Sequence, residues 1–287
     1  MSAFKCIVFS DLDGTLLDHY SYQSTEAEQT LKQLADAQIP VILNTSKTRA
    51  ELEVIRVELA LDSPFIVENG AAVFLPKSTF STQPVDTQDV GEYWVKSFSL
   101  SRQHWLNLLE NKTQEFSGFY RGFSSMTVDE LCQLTGLSQT QAKLAKQRQF
   151  GEPIQWTGDE VIKKAFIEKL CDLGANVLHG GRFMHVSDYC DKGQALIWLA
   201  EQYRDYFDTD NICTIALGDG ENDIAMLEAA DIAVQIKSPV HPFPRLYRQY
   251  KTIQTKHFGP KGWAEALQQL LSKQLHPTLT NPEVTHG

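Results

Sequence analysis

The sequence predicts an α/β fold, a doubly wound parallel sheet with an inserted α+β cap domain. Three observations carry this. Short apolar runs alternate with amphipathic helical stretches at both ends of the chain, as a parallel sheet with right-handed crossovers requires. The alternation breaks after about residue 84 and resumes near residue 188. An acidic cluster follows an apolar run in each half, at Asp11–Asp13 and at Asp219–Asp223. The core is therefore assigned to residues 1–84 and 188–275, the cap to 85–187, and a flexible tail to 276–287.

Lys5–Ser10 (KCIVFS) reads as a buried strand. Thr25 and Glu28 have capping-box spacing, and Leu31, Leu34 and Ala35 recur at helical intervals behind them. Ile39–Leu43 is a second apolar run. Thr48 and Glu51 form a further box, leading a helix with Leu52, Ile55, Val57 and Leu59, and Phe65–Val67 is a third strand. In the insertion, Glu92–Phe98, Asn176–Leu178 and Phe183–Val186 are strand-like. Trp105–Leu109, Thr127–Leu134 (boxed by Thr127 and Glu130) and Val161–Leu173 are helical. Gln194–Tyr203 (helix), Ile212–Leu217 (strand), Asn222–Ala230 (helix), Ile232–Ile236 (strand) and Trp263–Leu271 (helix) complete the series.

Composition narrows the function classes. Of 287 residues, 42% are apolar, enough for a full-sized core. Lys and Arg number 26 against 36 Asp and Glu, a formal charge of −10. That surface repels nucleic acid and anionic lipid, so neither is an expected partner. Phe4–Phe9 is shorter than the roughly 7–15 apolar residues of a secretory signal, and no window approaches the ~20 of a membrane helix. The five cysteines are scattered without a CxxC pair, which fits a reducing cytoplasm rather than a disulfide framework. Assembly state stays open.

The acidic clusters carry the chemistry. Asp11-Leu12-Asp13-Gly14-Thr15 directly follows a strand, and ligands of open α/β sheets bind outside carboxyl strand ends. Two carboxylates there repel each other unless a cation lies between them, and hard oxygen donors suit Mg²⁺. A metal-held carboxylate can also act as a nucleophile. Gly218-Asp219-Gly220-Glu221-Asn222-Asp223 repeats the same placement. Positive and hydroxyl partners stand between them: Asn44-Thr45-Ser46 with Lys47 and Arg49, and Asp191-Lys192-Gly193.

Taken in order, Asp11–Thr15, Thr45, Lys192 and Gly218–Asp223 resemble the four motifs of the haloacid-dehalogenase phosphatase superfamily. The insertion resembles the cap of its Cof-type branch. Within that branch the chain is similar to the mannosyl-3-phosphoglycerate phosphatase family, on Ser46–Glu51, Glu68-Asn69-Gly70, Gly136-Leu137, Gln147-Arg148, Glu152-Pro153, Gly180–His185, Asp191–Gly193 and Gly259–Trp263. The family pattern after Arg148 runs acidic then aromatic, where this chain carries Gln149-Phe150-Gly151.

The resemblance implies a Mg²⁺-dependent phosphatase working through an aspartyl-phosphate. Asp11 is the implied nucleophile and Asp13 the general acid and base. Asp11, the Asp13 carbonyl and Asp219 are the implied metal ligands, supported by Asp223. Asn222 is expected to orient Lys192, and Thr45 and Lys192 to hold the phosphoryl oxygens. Ser46, Lys47, Arg148, Gly181, Arg182 and His185 are the implied contacts to the rest of a phosphorylated sugar substrate. A broader hexose or sucrose phosphate phosphatase, a phosphomutase and a non-catalytic binding module remain alternatives at this stage.

Overall fold

The computed structural model describes residues 5–180 and 183–275. The expected tail, 276–287, and the candidates Gly181 and Arg182 lie outside the described residues. The strands are β1 (Lys5–Ser10), β2 (Val41–Asn44), β3 (Phe65–Val67), β4 (Ala72–Pro76), β5 (Gln88–Val90), β6 (Tyr93–Ser97) and β7 (Tyr120–Gly122). They continue with β8 (Glu152–Trp156), β9 (Asn176–Gly180), β10 (Phe183–Ser187), β11 (Ile212–Gly218), β12 (Ile232–Lys237) and β13 (Thr252–Phe258). The helices are α1 (Glu28–Asp36), α2 (Arg49–Glu58), α3 (Arg102–Lys112), α4 (Val128–Thr135) and α5 (Gln139–Ala145). α6 (Glu160–Asp172), α7 (Lys192–Phe207), α8 (Ile224–Ala229) and α9 (Gly259–Leu275) follow. The chain divides into two compact units, residues 5–41 with 213–275 and residues 42–212.

In the first unit the strands lie in the order β13-β12-β11-β1, with β11, β12 and β13 parallel. All seven residues of β11 and five of the six in β1 are buried, the unbroken apolar signature of strands covered on both faces. α9 packs on β12 and β13 and brings Trp263 and Leu267 fully inside. The Trp263 Nε1–H donates to Ser10 Oγ at 2.9 Å, which satisfies the indole and fixes the last residue of β1.

In the second unit β2 pairs parallel with β3, and β4, β6 and β5 extend the sheet antiparallel. Phe65 and Phe74 sit opposite each other in the register and stack at 5.1 Å, with Tyr93 edge-on to both. The same unit holds a second, antiparallel sheet, β7-β8-β10-β9. Trp105, Leu109, Ile154, Phe166, Leu170 and Met184 form its main core against α3 and α6. Phe123, Met126, Leu131 and Ala142 make a smaller cluster with α4 and α5. Buried Glu152 pairs with Arg102 at 2.5 Å and accepts the Ser124 N–H at 2.8 Å, so its charge is compensated.

Three local expectations change. Thr25 and Glu28 form no capping box: a 3₁₀ turn, Thr25–Ala27, intervenes, and α1 starts at Glu28 with Ala27 as its cap. The second strand starts at Val41, two residues later than the apolar run suggests. β4, β5, β7, β8, β13 and α5 are additional elements.

Candidate active site

In the first unit the chain leaves β1 at Asp11, whose N–H donates to the Leu217 carbonyl of β11 at 2.9 Å. That bond sets the ends of the two strands side by side. The Ser10 hydroxyl donates to the Asp11 carbonyl at 2.7 Å and further fixes the exit. Asp11, Asp219 and Asp223 are all buried, and each offers a carboxylate oxygen within 4.8 Å of the others. Asp13 is half-buried two residues beyond Asp11. Gly14 lets the loop approach Asp219: its φ is +79°, and a Cβ there would lie 2.7 Å from Asp219 Oδ2. The Thr15 hydroxyl donates to Asp219 Oδ1 at 3.2 Å.

Asp223 holds the second loop. Its Oδ2 accepts the N–H groups of Asp219 and Gly220, both at 3.0 Å. A Cβ at Gly218 would lie 2.5 Å from the Asp223 Cβ, so only glycine lets the carboxylate fold back this far. Asn222 is exposed in the 3₁₀ turn Glu221–Asp223. Three buried carboxylates this close repel one another strongly without a cation, and an all-oxygen donor set suits a hard divalent ion. Asp11, Asp219 and Asp223 are thus the residues that could hold a metal.

In the second unit, Thr45 follows β2 and is almost fully buried. Its N–H donates to the Ile66 carbonyl at 3.2 Å and its carbonyl accepts from Asn69 N–H at 2.9 Å. Lys192 opens α7, and its side chain is fully buried. Two contacts seat its backbone: Asn44 Nδ2 donates to the Lys192 carbonyl at 2.9 Å, and Gly70 lies flat against Asp191. Asp191 caps α7 through the Gln194 N–H at 2.8 Å. Ser46 and Lys47 are half-buried on the loop after Thr45. Arg49, beside them in sequence, is committed to packing over Phe74 and Tyr93 and to an ion pair with Glu53.

Arg148 and His185 belong to the same unit. Arg148 pairs with Glu68 at 3.2 Å and reaches the Ser46 carbonyl at 3.4 Å. His185 is partly buried on β10, and desolvation, then the Arg148 charge, push its pKa down to about 3. It is therefore a neutral imidazole at physiological pH.

Sequence reasoning gave no role to Glu68, Asn44 or His241. The His241 Nε2 lies 3.3 Å from Asp219 Oδ2. It sits in a proline-rich loop with no periodic pattern to draw attention to it. Asn44 and Glu68 adjoin motif residues, and the Glu68-Asn69-Gly70 string was the available signal.

A family model for haloacid dehalogenase-like hydrolase matches residues 8–240. The chain belongs to this family. A relative from Methanococcoides burtonii, named glucosyl-3-phosphoglycerate/mannosyl-3-phosphoglycerate phosphatase, is 38% identical over 269 residues, covering 94% of this chain and 98% of its own. A relative of the same name from Persephonella marina is 33% identical over 93% of this chain and 97% of its own. Among solved structures, a Thermoplasma acidophilum protein matches with TM-score 0.64 at 16% identity, covering 95% of this chain and 99% of its own. A haloacid dehalogenase-like hydrolase from Bacteroides thetaiotaomicron matches with TM-score 0.64 at 19% identity, covering 93% and 99%. At those identities the structures speak for the fold alone. Family and relatives together make this haloacid dehalogenase-like chain a phosphoric monoester hydrolase.

Proposed function

We propose that this phosphatase hydrolyses the phosphate monoester of a sugar phosphoglycerate, either mannosyl- or glucosyl-3-phosphoglycerate, to the glycosylglycerate and inorganic phosphate. The observation that carries the reading is the buried Asp11, Asp219 and Asp223 group at the ends of β1 and β11. The names of two relatives matched over nearly their whole lengths support the substrate class.

In this reading an Asp11 carboxylate oxygen attacks phosphorus in line and forms an aspartyl-phosphate, while the P–O bond to the glycerate breaks. Asp13 gives its proton to the departing alkoxide. It then takes a proton from the water that attacks the acyl phosphate, which returns Asp11 and releases phosphate. Mg²⁺ at Asp11, the Asp13 carbonyl and Asp219, with Asp223 in support, would supply charge neutralisation at the phosphoryl oxygens. Thr45 and Lys192 hold those oxygens as charge spreads during transfer. Ser46, Lys47 and His185 offer polar contacts for the sugar and glycerate. The reaction is assigned to the cytoplasm, consistent with five cysteines outside any disulfide. Among the described residues no helix is long and apolar enough to cross a membrane.

A phosphate-release panel in Mg²⁺ tests this. Both glycosyl-3-phosphoglycerates should be preferred over hexose 6-phosphates, and the reverse preference replaces the narrow substrate with a general sugar phosphate. Asp11→Asn should lower turnover by about 10²-fold or more while the protein stays folded. Wild-type turnover in that variant removes Asp11 as nucleophile.

A further inference from the structure

Glu68, Asn69 and Gly70 form three consecutive residues with positive φ, at 50°, 62° and 93°. For Glu68 this is a costly conformation that persists only where surrounding contacts over-determine it. Its contacts do so. The Glu68 N–H donates to the Lys47 carbonyl at 3.0 Å and the Asn69 N–H to the Thr45 carbonyl at 2.9 Å, tying the turn to the loop after β2. The Glu68 carboxylate points the other way. Oε1 accepts the Gln149 N–H at 2.7 Å, and Oε2 accepts those of Phe150 at 3.2 Å and Gly151 at 3.0 Å. The Arg148 guanidinium forms an ion pair with the same carboxylate, its Nε 3.2 Å from Oε2, with both side chains almost wholly buried.

One carboxylate therefore gathers three successive backbone donors and a guanidinium. Arg102 grips the same segment from the far side, its N–H donating to the Gln149 carbonyl at 2.7 Å and its Nη1 to the Lys146 carbonyl at 2.9 Å. The segment leads into Glu152 and Pro153 of β8, and Pro153 is paired with His185 on β10. The Glu68 grip thus fixes Arg148 against the Ser46 carbonyl and sets the approach of β8.

We propose that Glu68 is a positioning residue for substrate selection: it clamps Arg148–Gly151 onto the loop carrying Thr45, Ser46 and Lys47, and so fixes Arg148 and His185 as the face that meets the part of the substrate beyond the phosphate. The proposal rests on the phosphatase reading above. Glu68 touches no phosphoryl oxygen in this scheme and acts only through the segment it holds.

The test compares wild type, Glu68→Gln and Glu68→Asp in Mg²⁺, with mannosyl-3-phosphoglycerate and the small aryl ester p-nitrophenyl phosphate. In Glu68→Gln, KM for the phosphoglycerate should rise about tenfold or more, as expected for losing hydrogen bonds to a charged group. Its turnover of p-nitrophenyl phosphate should stay within about threefold of wild type, since a small ester makes little use of remote contacts. Glu68→Asp, which keeps the charge on a shorter stem, should fall between the two. Asp89→Asn, which breaks only the exposed pair with Lys77, serves as the control and should change neither substrate.

Amide hydrogen exchange reads the clamp without substrate. The N–H groups of Gln149, Phe150 and Gly151 should exchange faster in Glu68→Gln, while those of β9 and β10 keep wild-type protection. Equal losses on both substrates, or unaltered kinetics, or unaltered exchange at those three amides, overturns the proposal. If wild type hydrolyses neither ester, the phosphatase reading fails, and unaltered exchange at the three amides in Glu68→Gln still overturns the clamp.

Discussion

Gly70 has φ +93°, and a Cβ on it would lie 2.1 Å from the Asp191 carbonyl oxygen and 2.8 Å from the Lys192 N. Backbone cannot yield as a flexible side chain can, so Gly70→Ala must displace the first turn of α7. Gly136 has a similar φ of +81°, but nothing lies within 4 Å of its Cβ position. It closes α4 in a left-handed cap, so Gly136→Ala meets conformational strain alone, about 1 kcal/mol. Gly70→Ala should cost clearly more, about 2–3 kcal/mol, and also lower phosphate release, because Lys192 starts the helix that moves. Chemical denaturation and turnover on both variants check the contrast. Equal stability losses, or full activity in Gly70→Ala, would separate Gly70 from the placement of Lys192.

At the level of single elements, β10 carries a pH-dependent contribution. Its alternation buries Met184 and Val186 in the core beneath the sheet and leaves His185 on the other face beside Arg148. The imidazole titrates near 6.5 when the chain is unfolded and is pushed down to about 3 in the fold. The unfolded chain therefore takes up the proton first. The neutral form's full contribution is present above pH 6.5 and is lost as pH falls from there towards 3. Between pH 6.5 and 5 the loss is at most about 2 kcal/mol. Urea midpoints at pH 7 and 5 should fall further for wild type than for His185→Gln, and parallel falls would refute the assignment. The elements themselves were unevenly legible in the sequence. β1 and β3 match the apolar runs residue for residue, and the Thr48 and Thr127 boxes are present because both partners lie in one helical turn. Thr25 reads the same but is overruled by an Ala27 N–H that closes on the Ser24 carbonyl at 2.7 Å. β13 (TIQTKHF) escapes notice because it is an edge strand with a single buried residue, Thr255, so it needs no apolar run. β4 is not among the expected strands, since its place in the sheet depends on Phe74 finding Phe65 across the register. The site divides the same way. Asp11, Asp219 and Asp223 announce themselves by following strands, whereas the grip of Glu68 on three backbone N–H groups leaves no trace in side-chain identity at 149–151.

For the molecule as a whole, the charge of −10 and a phosphorylated substrate look opposed until the acids are located. Three of the 36 carboxylates lie buried within 4.8 Å of one another, so part of the surplus is an internal demand for a cation. Asp11 directly follows the first strand of its unit, while Asp219 and Asp223 come from more than 200 residues later in the chain. A divalent ion held by Asp11 and Asp219, with Asp223 in support, can bind only when those distant segments are folded together, so it binds the native state and not the unfolded chain. Linkage then stabilises the protein by about 2.7 kcal/mol at a free Mg²⁺ concentration a hundred times Kd. At roughly 2–4 °C per kcal/mol for a chain of this class, Tm should rise by about 5–10 °C on titrating Mg²⁺ into chelator-treated protein. Asp219→Asn should remove most of that rise and, by relieving like-charge repulsion, leave the metal-free protein at least as stable as wild type. A Tm indifferent to Mg²⁺, or a full rise retained in Asp219→Asn, would take the ion away from these carboxylates.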